Sequence, residues 1–340
     1  MMRAGTVLFV FFVALGACSS PPEPECVGEA CDPAPADMAR PPGGVDPSCT
    51  TPRGTLWKSV VSRLVMPTVD EPCAIDVDGD GLIDNALRGV VAGLRAAAFD
   101  LQANADAVLR SGELVQLVTL QSEDPTNSSC AHVTLRRGLR PDKPPALDGS
   151  DTFAVDAAIA PAQLWGTIAG GQLETPRPQA QTAATLVRLQ LSLPGGFGVE
   201  VPLPLLGAHL SGRVGVQGLV SGQLHGVVRM SDVETRMIPA IAQVMTALIR
   251  RQPDSPSARH IIATFETRAK CEAKPALCCR TSPQTCEITA EEVRNNAQVK
   301  LILKPDVQMF SGDVWSPTPG GDAPDSLSIG LCFTAVTARF

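Results

Sequence analysis

Tyrosine is missing from the chain altogether, and aromatic residues make up only 4% of it. Carbohydrate-binding and antibody-like surfaces lean on aromatic rings for rigid contact area. Any such surface here must rest on Trp57, Trp165 and Trp315. Lys and Arg together number 28 against 35 Asp and Glu, a net charge of -7. A nucleic-acid partner, which would need clustered basic residues, is therefore not expected. There are only four histidines, and no G-x-S-x-G, H-E-x-x-H or P-loop occurs. His132, His209, His225 and His260 stand in unrelated contexts. His209 and His225 could share a sheet face, but a strand histidine is more often surface or satisfied core. No motif identifies an enzyme, and a non-enzymatic module is expected ahead of one.

What is present is apolar and rich in turns. Hydrophobic residues are 44% of the 340, with 30 prolines and 29 glycines. That composition supports a packed core and rules out global disorder.

The N-terminus reads "MMRAGTVLFVFFVALGACSS": Arg3, then an apolar run from Thr6 to Leu15. The run is too short to span a bilayer and suits a signal peptide. It ends in Leu15-Gly16-Ala17-Cys18, which resembles the lipobox of bacterial lipoproteins. The resemblance implies cleavage before Cys18, acylation of Cys18, and membrane attachment through that lipid. Ser19 follows Cys18, which within the family favours the outer membrane. The composition and layout also loosely resemble uncharacterised lipoproteins of deltaproteobacteria. Residues 1–17 are then the signal and 18–53 a Pro-rich tether too polar to offset its ordering entropy. Residues 54–340 form one domain. With Cys18 acylated, ten of the 11 cysteines remain, an even number that reads as disulfides in an oxidising envelope.

Hydrophobic period divides the domain. "TLWKSVVSRLV", "ELVQLVTL", "HVTLRR" and "LVRLQLSL" read as strands. "GVEVPLPLL", with two prolines, reads as an edge or irregular strand. "HLSGRVGVQGLVSGQLHGVVRM" suits bent strands because of its recurring glycines. Leu87, Val90, Val91, Leu94, Ala98, Leu101, Ala105 and Val108 recur at helical spacing, so one long helix is expected from Asn85 to about Arg110. Ser231 and Glu234 match a capping box, although Pro239 could instead open the main helix there. Further helices are expected over Ser257–Lys270 and after Thr289, with strands near Asp306–Phe310 and Ser326–Ala338. The fold class is α+β: a strand-rich antiparallel middle, a long helix early on, and grouped helices in the last third.

One stretch carries chemistry. "CAIDVDGDGLIDNALRG" places Asp76, Asp78, Asp80 and Asp84 within nine residues. Read against the pattern D-x-[DN]-x-[DN]-G, these aspartates take positions 1, 3, 5 and 9. Gly81 permits the bend, and Leu82 offers its carbonyl. Hard oxygen donors without His or Cys point to Ca²⁺, with the loop covering 76–87. The run is similar to EF-hand, dockerin and thrombospondin type 3 loops. It departs from the EF-hand at Leu87, where the bidentate glutamate would stand. Asp70, Glu71 or Asp100 could complete the sphere. Affinity should be weak, on the order of 10⁻⁴ to 10⁻³ M.

Cys271, Cys278, Cys279 and Cys286 are spaced C-x6-C-C-x6-C. Adjacent cysteines serve one zinc ion poorly, so two local disulfides are expected, with Cys278 and Cys279 bonded to different partners. Cys49, Cys73, Cys130 and Cys332 remain for long bridges. These features read as an envelope or surface module with a structural calcium site, binding a protein or glycan without catalysis. The alternatives are a hydrolase with an unrecognised site, or a carrier of an apolar ligand that uses the strands at 199–228.

Overall fold

The structure is a computed structural model. It describes residues 45, 49–68, 73–96, 100–176, 185–193 and 197–340, without the side chains of 94, 96, 185–200 and 202. Strand β1 (Thr55–Val65) opens the domain, followed by helices α1 (Ala86–Ala96) and α2 (Leu101–Arg110). A series of strands comes next: β2 (Gln116–Ser122), β3 (Asn127–Arg137), β4 (Ala162–Ala169), β5 (Gln172–Glu174), β6 (Thr185–Leu193), β7 (Phe197–Gly215) and β8 (Gly218–Arg229). Helices α3 (Met230–Asp232), α4 (Ile238–Arg251), α5 (Pro256–Phe265), α6 (Arg268–Ala273), α7 (Ala290–Asn295) and α8 (Ala297–Ile302) form the last third. Strands β9 (Gln308–Ser311), β10 (Val314–Thr318) and β11 (Ser326–Thr337) end the chain.

The sheet order is β5-β4-β3-β2-β1-β11-β8-β7-β6, and β5 also pairs with β7. That last pairing, Leu173 opposite Gly212, closes the ring. Eight antiparallel strands thus form a closed barrel in chain order, a calycin-like plan, with β6 left outside as a hairpin arm on β7. The α+β class and the strand-rich middle are as expected; closure was not. Closure depends on a three-residue strand, too short to leave a periodic signal.

Strand direction sorts the connections. The turns after β2, β4 and β7 all lie at one end. The other end receives the chain between β1 and β2, β3 and β4, β5 and β7, and β8 and β11. Every helix therefore enters from that second end.

The family resemblance of the acidic loop is corrected by this topology. The loop at 73–85 lies between a barrel strand and α1, and Asn85 fixes it to β11. It belongs to neither an EF-hand, a dockerin nor a thrombospondin repeat. The long helix is also corrected. It is two helices, because Asp100 is extended (φ -87°, ψ 97°) and its carboxylate accepts Ala103 N–H, starting α2 afresh. The expected helix over 257–270 likewise divides. Glu266 is extended, and Thr267 caps α6 by accepting from Lys270 N. Ser231 makes no cap; a π-helical turn, Val233–Met237, leads into α4, which carries Pro239 in its first turn. Strands β4, β5 and β10 were not anticipated. Pro202 and Pro204 sit where β7 pairs with β6, before the β8 ladder begins at Leu206. One edge of β7 there makes no β8 ladder, which is where prolines are tolerated.

Most inward-facing residues are apolar, although Ser59 sits opposite Val118 among them. Val118, Leu120, Val133, Leu164, Leu210 and Phe333 belong to a single buried cluster that continues into Met245, Leu248 and Ile249 of α4. The barrel interior and the helical layer thus share one core. Gly222 leaves room for its cross-strand partner: a methyl group there would meet the Phe333 ring at 2.6 Å.

Candidate functional site

The acidic loop is held to the outer wall of β11 by three devices. Cys73 is bridged to Cys332 of β11. The Asn85 amide donates to the carbonyls of Cys73 and Gly330, both at 3.0 Å, and accepts from Gly330 N at 3.2 Å. Ser328 Oγ accepts from Ala86 N at 2.8 Å and itself donates to Asp306.

Within the loop, Asp76 accepts from Gly79 N (2.6 Å) and Gly81 N (3.0 Å). Gly81 has φ +89°, the sharp bend expected of it. Asp78 is buried and accepts from Asp80 N and Gly320 N, each at 3.1 Å. Asp84 accepts from Val77 N at 2.8 Å. One oxygen each from Asp76, Asp78 and Asp84 lies within 4.8 Å of the others, close enough to share a cation. The Oδ1 of Asp80 accepts from Leu82 N at 2.7 Å, and Asp80 falls outside this trio. Leu82 is itself exposed.

The carboxylates press on one another. Burial, opposed by the Val77 amide and reinforced by Asp78, Asp306 and Asp80, pushes Asp84 up to about 6. Burial likewise raises Asp306 against the Ser328 bonds that lower it. An oxygen-only set with packed negative charge fits a hard cation. Asp100 is engaged in capping α2, and Asp70 and Glu71 lie outside the described residues. The neighbour that does reach the loop is the tip at Gly320. No local pattern could reveal it, because it comes from 242 residues away.

Four disulfides are present among the described residues: Cys49–Cys130, Cys73–Cys332, Cys271–Cys278 and Cys279–Cys286. Cys278 and Cys279 take different partners, as their adjacency implied. Such bonding fits a secreted or envelope-associated protein. Among the described residues no helix is long and apolar enough to cross a membrane.

The histidines and tryptophans meet only in pairs and form no single cluster among the described residues. His209 and His225 are cross-strand partners and both buried, with ring centroids 6.3 Å apart. His209 faces Glu174 at 3.6 Å. His132 stacks near Trp165 at 4.5 Å, and His260 is exposed on α5. Trp57 packs on the main core, while Trp315 meets Phe310 edge-on in a separate cluster.

No protein-family model matches the chain, and no curated protein or solved structure matches it. The lipoprotein resemblance is therefore not carried forward. Cys18 and the residues around it lie outside the described residues, and none of these comparisons supports a lipobox. The closed barrel with its cation-capable loop suits a structural or ligand-binding module.

Proposed function

We propose that this protein is a non-catalytic carrier of an apolar ligand, held where the barrel interior meets the helical layer. The observation that carries this reading is the continuous apolar core joining the barrel lining to α4. Eight strands enclose a space that side chains fill or that admits one small ligand. All the long connections gather at one end, so a ligand enters there and not past the short turns. Two features make that end deformable. The π-helical turn Val233–Met237 interrupts regular helix where β8 passes into α4. Met237 and Met245, flexible thioethers, contribute to the shared core. Phe333, a large side chain of the shared core, is the one whose removal would open space there.

The acidic loop serves architecture in this reading, as a calcium site formed by Asp76, Asp78 and Asp84. A bound ion would offset the burial and the neighbouring negative charge that raise Asp84, and would fix the start of α1. The loop contains no general base apart from its own ligands.

The test is a fluorescence titration with the apolar probe N-phenyl-1-naphthylamine. Saturable 1:1 binding, reversed by palmitate, supports the carrier reading, and Phe333→Ala should tighten it by enlarging the lumen. Absence of saturable binding to the native protein and to Phe333→Ala would leave only a scaffold.

A further inference from the structure

A cavity lies among α5 to α8. Its volume is about 480 Å³, within the range that holds small ligands. The apolar part of its wall is Phe265, Ala273 and Leu277. Lys270 and Glu292 also line it, paired at 2.9 Å with each side chain only 11% exposed.

The wall is rigid. Thr267, Thr289 and Asn296 line the cavity and are each the N-cap of a helix, so their side chains are committed to backbone amides. Asn296 also donates to the Thr264 carbonyl at 3.1 Å. The Cys271–Cys278 bridge fixes the segment that carries Lys274 and Leu277.

Subtracting committed groups leaves the recognition chemistry. Lys270 and Glu292 neutralise each other. Lys274, Glu287 and Glu291 remain on the exposed rim, two carboxylates against one ammonium. The Glu292 oxygen that meets Lys270 also accepts from Thr289 N at 2.8 Å in the capping box of α7, so the pair is part of the rigid wall. Glu292 Oε1, moreover, is buried without a hydrogen-bond partner among the described residues. The whole lining therefore has an excess of acceptors and negative charge over an apolar patch.

We propose that this cavity binds a small organic ammonium ion, its apolar body against Phe265 and Leu277 and its cationic head toward Glu287 and Glu291. The site is independent of the barrel lumen and takes a ligand of the opposite character.

The experiment is amide NMR on the full chain, titrated with n-butylammonium chloride and, separately, with sodium butyrate at equal ionic strength. Butylammonium should give saturable shifts at Thr267, Asn295 and Asn296 in the millimolar range, and butyrate should not. Glu287→Gln and Glu291→Gln should each weaken binding roughly threefold, the size of one exposed charge contact. Both residues are exposed, so the variants should fold. Lys274→Ala should strengthen binding. Equal shifts with butyrate, no shift with butylammonium, or affinity unchanged in both Gln variants would overturn the proposal.

Discussion

Asn85 grips the backbone of Gly330 from both sides, donating to its carbonyl at 3.0 Å and accepting from its amide at 3.2 Å. The two residues are 245 apart in sequence, and this clasp seats the acidic loop on the barrel wall. Gly330 is required there. An added Cβ would lie 2.0 Å from the Cys73 carbonyl oxygen and 2.8 Å from His225 Nδ1. Gly330→Ala should therefore destabilise by about 3 kcal/mol, and Asn85→Ala by about 2 kcal/mol. Urea unfolding with unchanged m-values is the check. Shifts below about 0.5 kcal/mol in both would show that the clasp holds nothing.

The disulfides should differ in weight. Cys73–Cys332 spans 259 residues and Cys279–Cys286 only 7. In the chain-entropy model these contribute about 5–6 and about 2 kcal/mol. Replacing the first pair by alanine should lower the urea midpoint more than replacing the second, as paired unfolding curves would show. The reverse order would mean that local bracing of the helices outweighs loop closure.

His132 gives a pH signature. Burial lowers its imidazole below the ordinary 6.5, against a bond to Gln163 that raises it. The unfolded chain thus takes up the proton first. The stability it contributes is present above 6.5 and is lost as pH falls through the folded-state value. Melting temperature measured from pH 8 to 5 should fall less steeply in His132→Asn than in the native protein. Parallel curves would contradict the assignment.

Much of this was legible in the sequence, and the reasons for the rest are physical. The period-2 runs marked β1, β2, β3, β6 and β11, and the helix expected after Thr289 is α7, opened by a capping box of Thr289 with Glu292. Adjacent Cys278 and Cys279 implied separate partners. The barrel was hidden because closure is a long-range event through Gln172–Glu174, three residues with no period. The break before α2 was masked by an uninterrupted apolar stripe, and only the Asp100 cap marks it. At the site, Asp76, Asp78 and Asp84 could be found by spacing. Gly320, Asp306 and the Asn85 clasp reach the loop only through the fold.

Calcium should stabilise the fold modestly. Ligation to the native state alone contributes RT ln(1 + [L]/Kd), about 1.4 kcal/mol at ten times Kd. Millimolar calcium should raise the melting temperature, magnesium should do so much less, and Asp76→Ala should abolish the effect. A curve indifferent to calcium and to chelator would reduce the aspartates to a solvated turn.

Hydrogen–deuterium exchange with and without palmitate tests the central claim most directly, because it locates the ligand. The carrier reading predicts slowed exchange in α4 (Ile238–Arg251) and in the β7 segment Leu206–Gly215, with the turns at Gly170–Gly171 and Val216–Gln217 unchanged. No protection anywhere, or protection confined to 264–296, would contradict it.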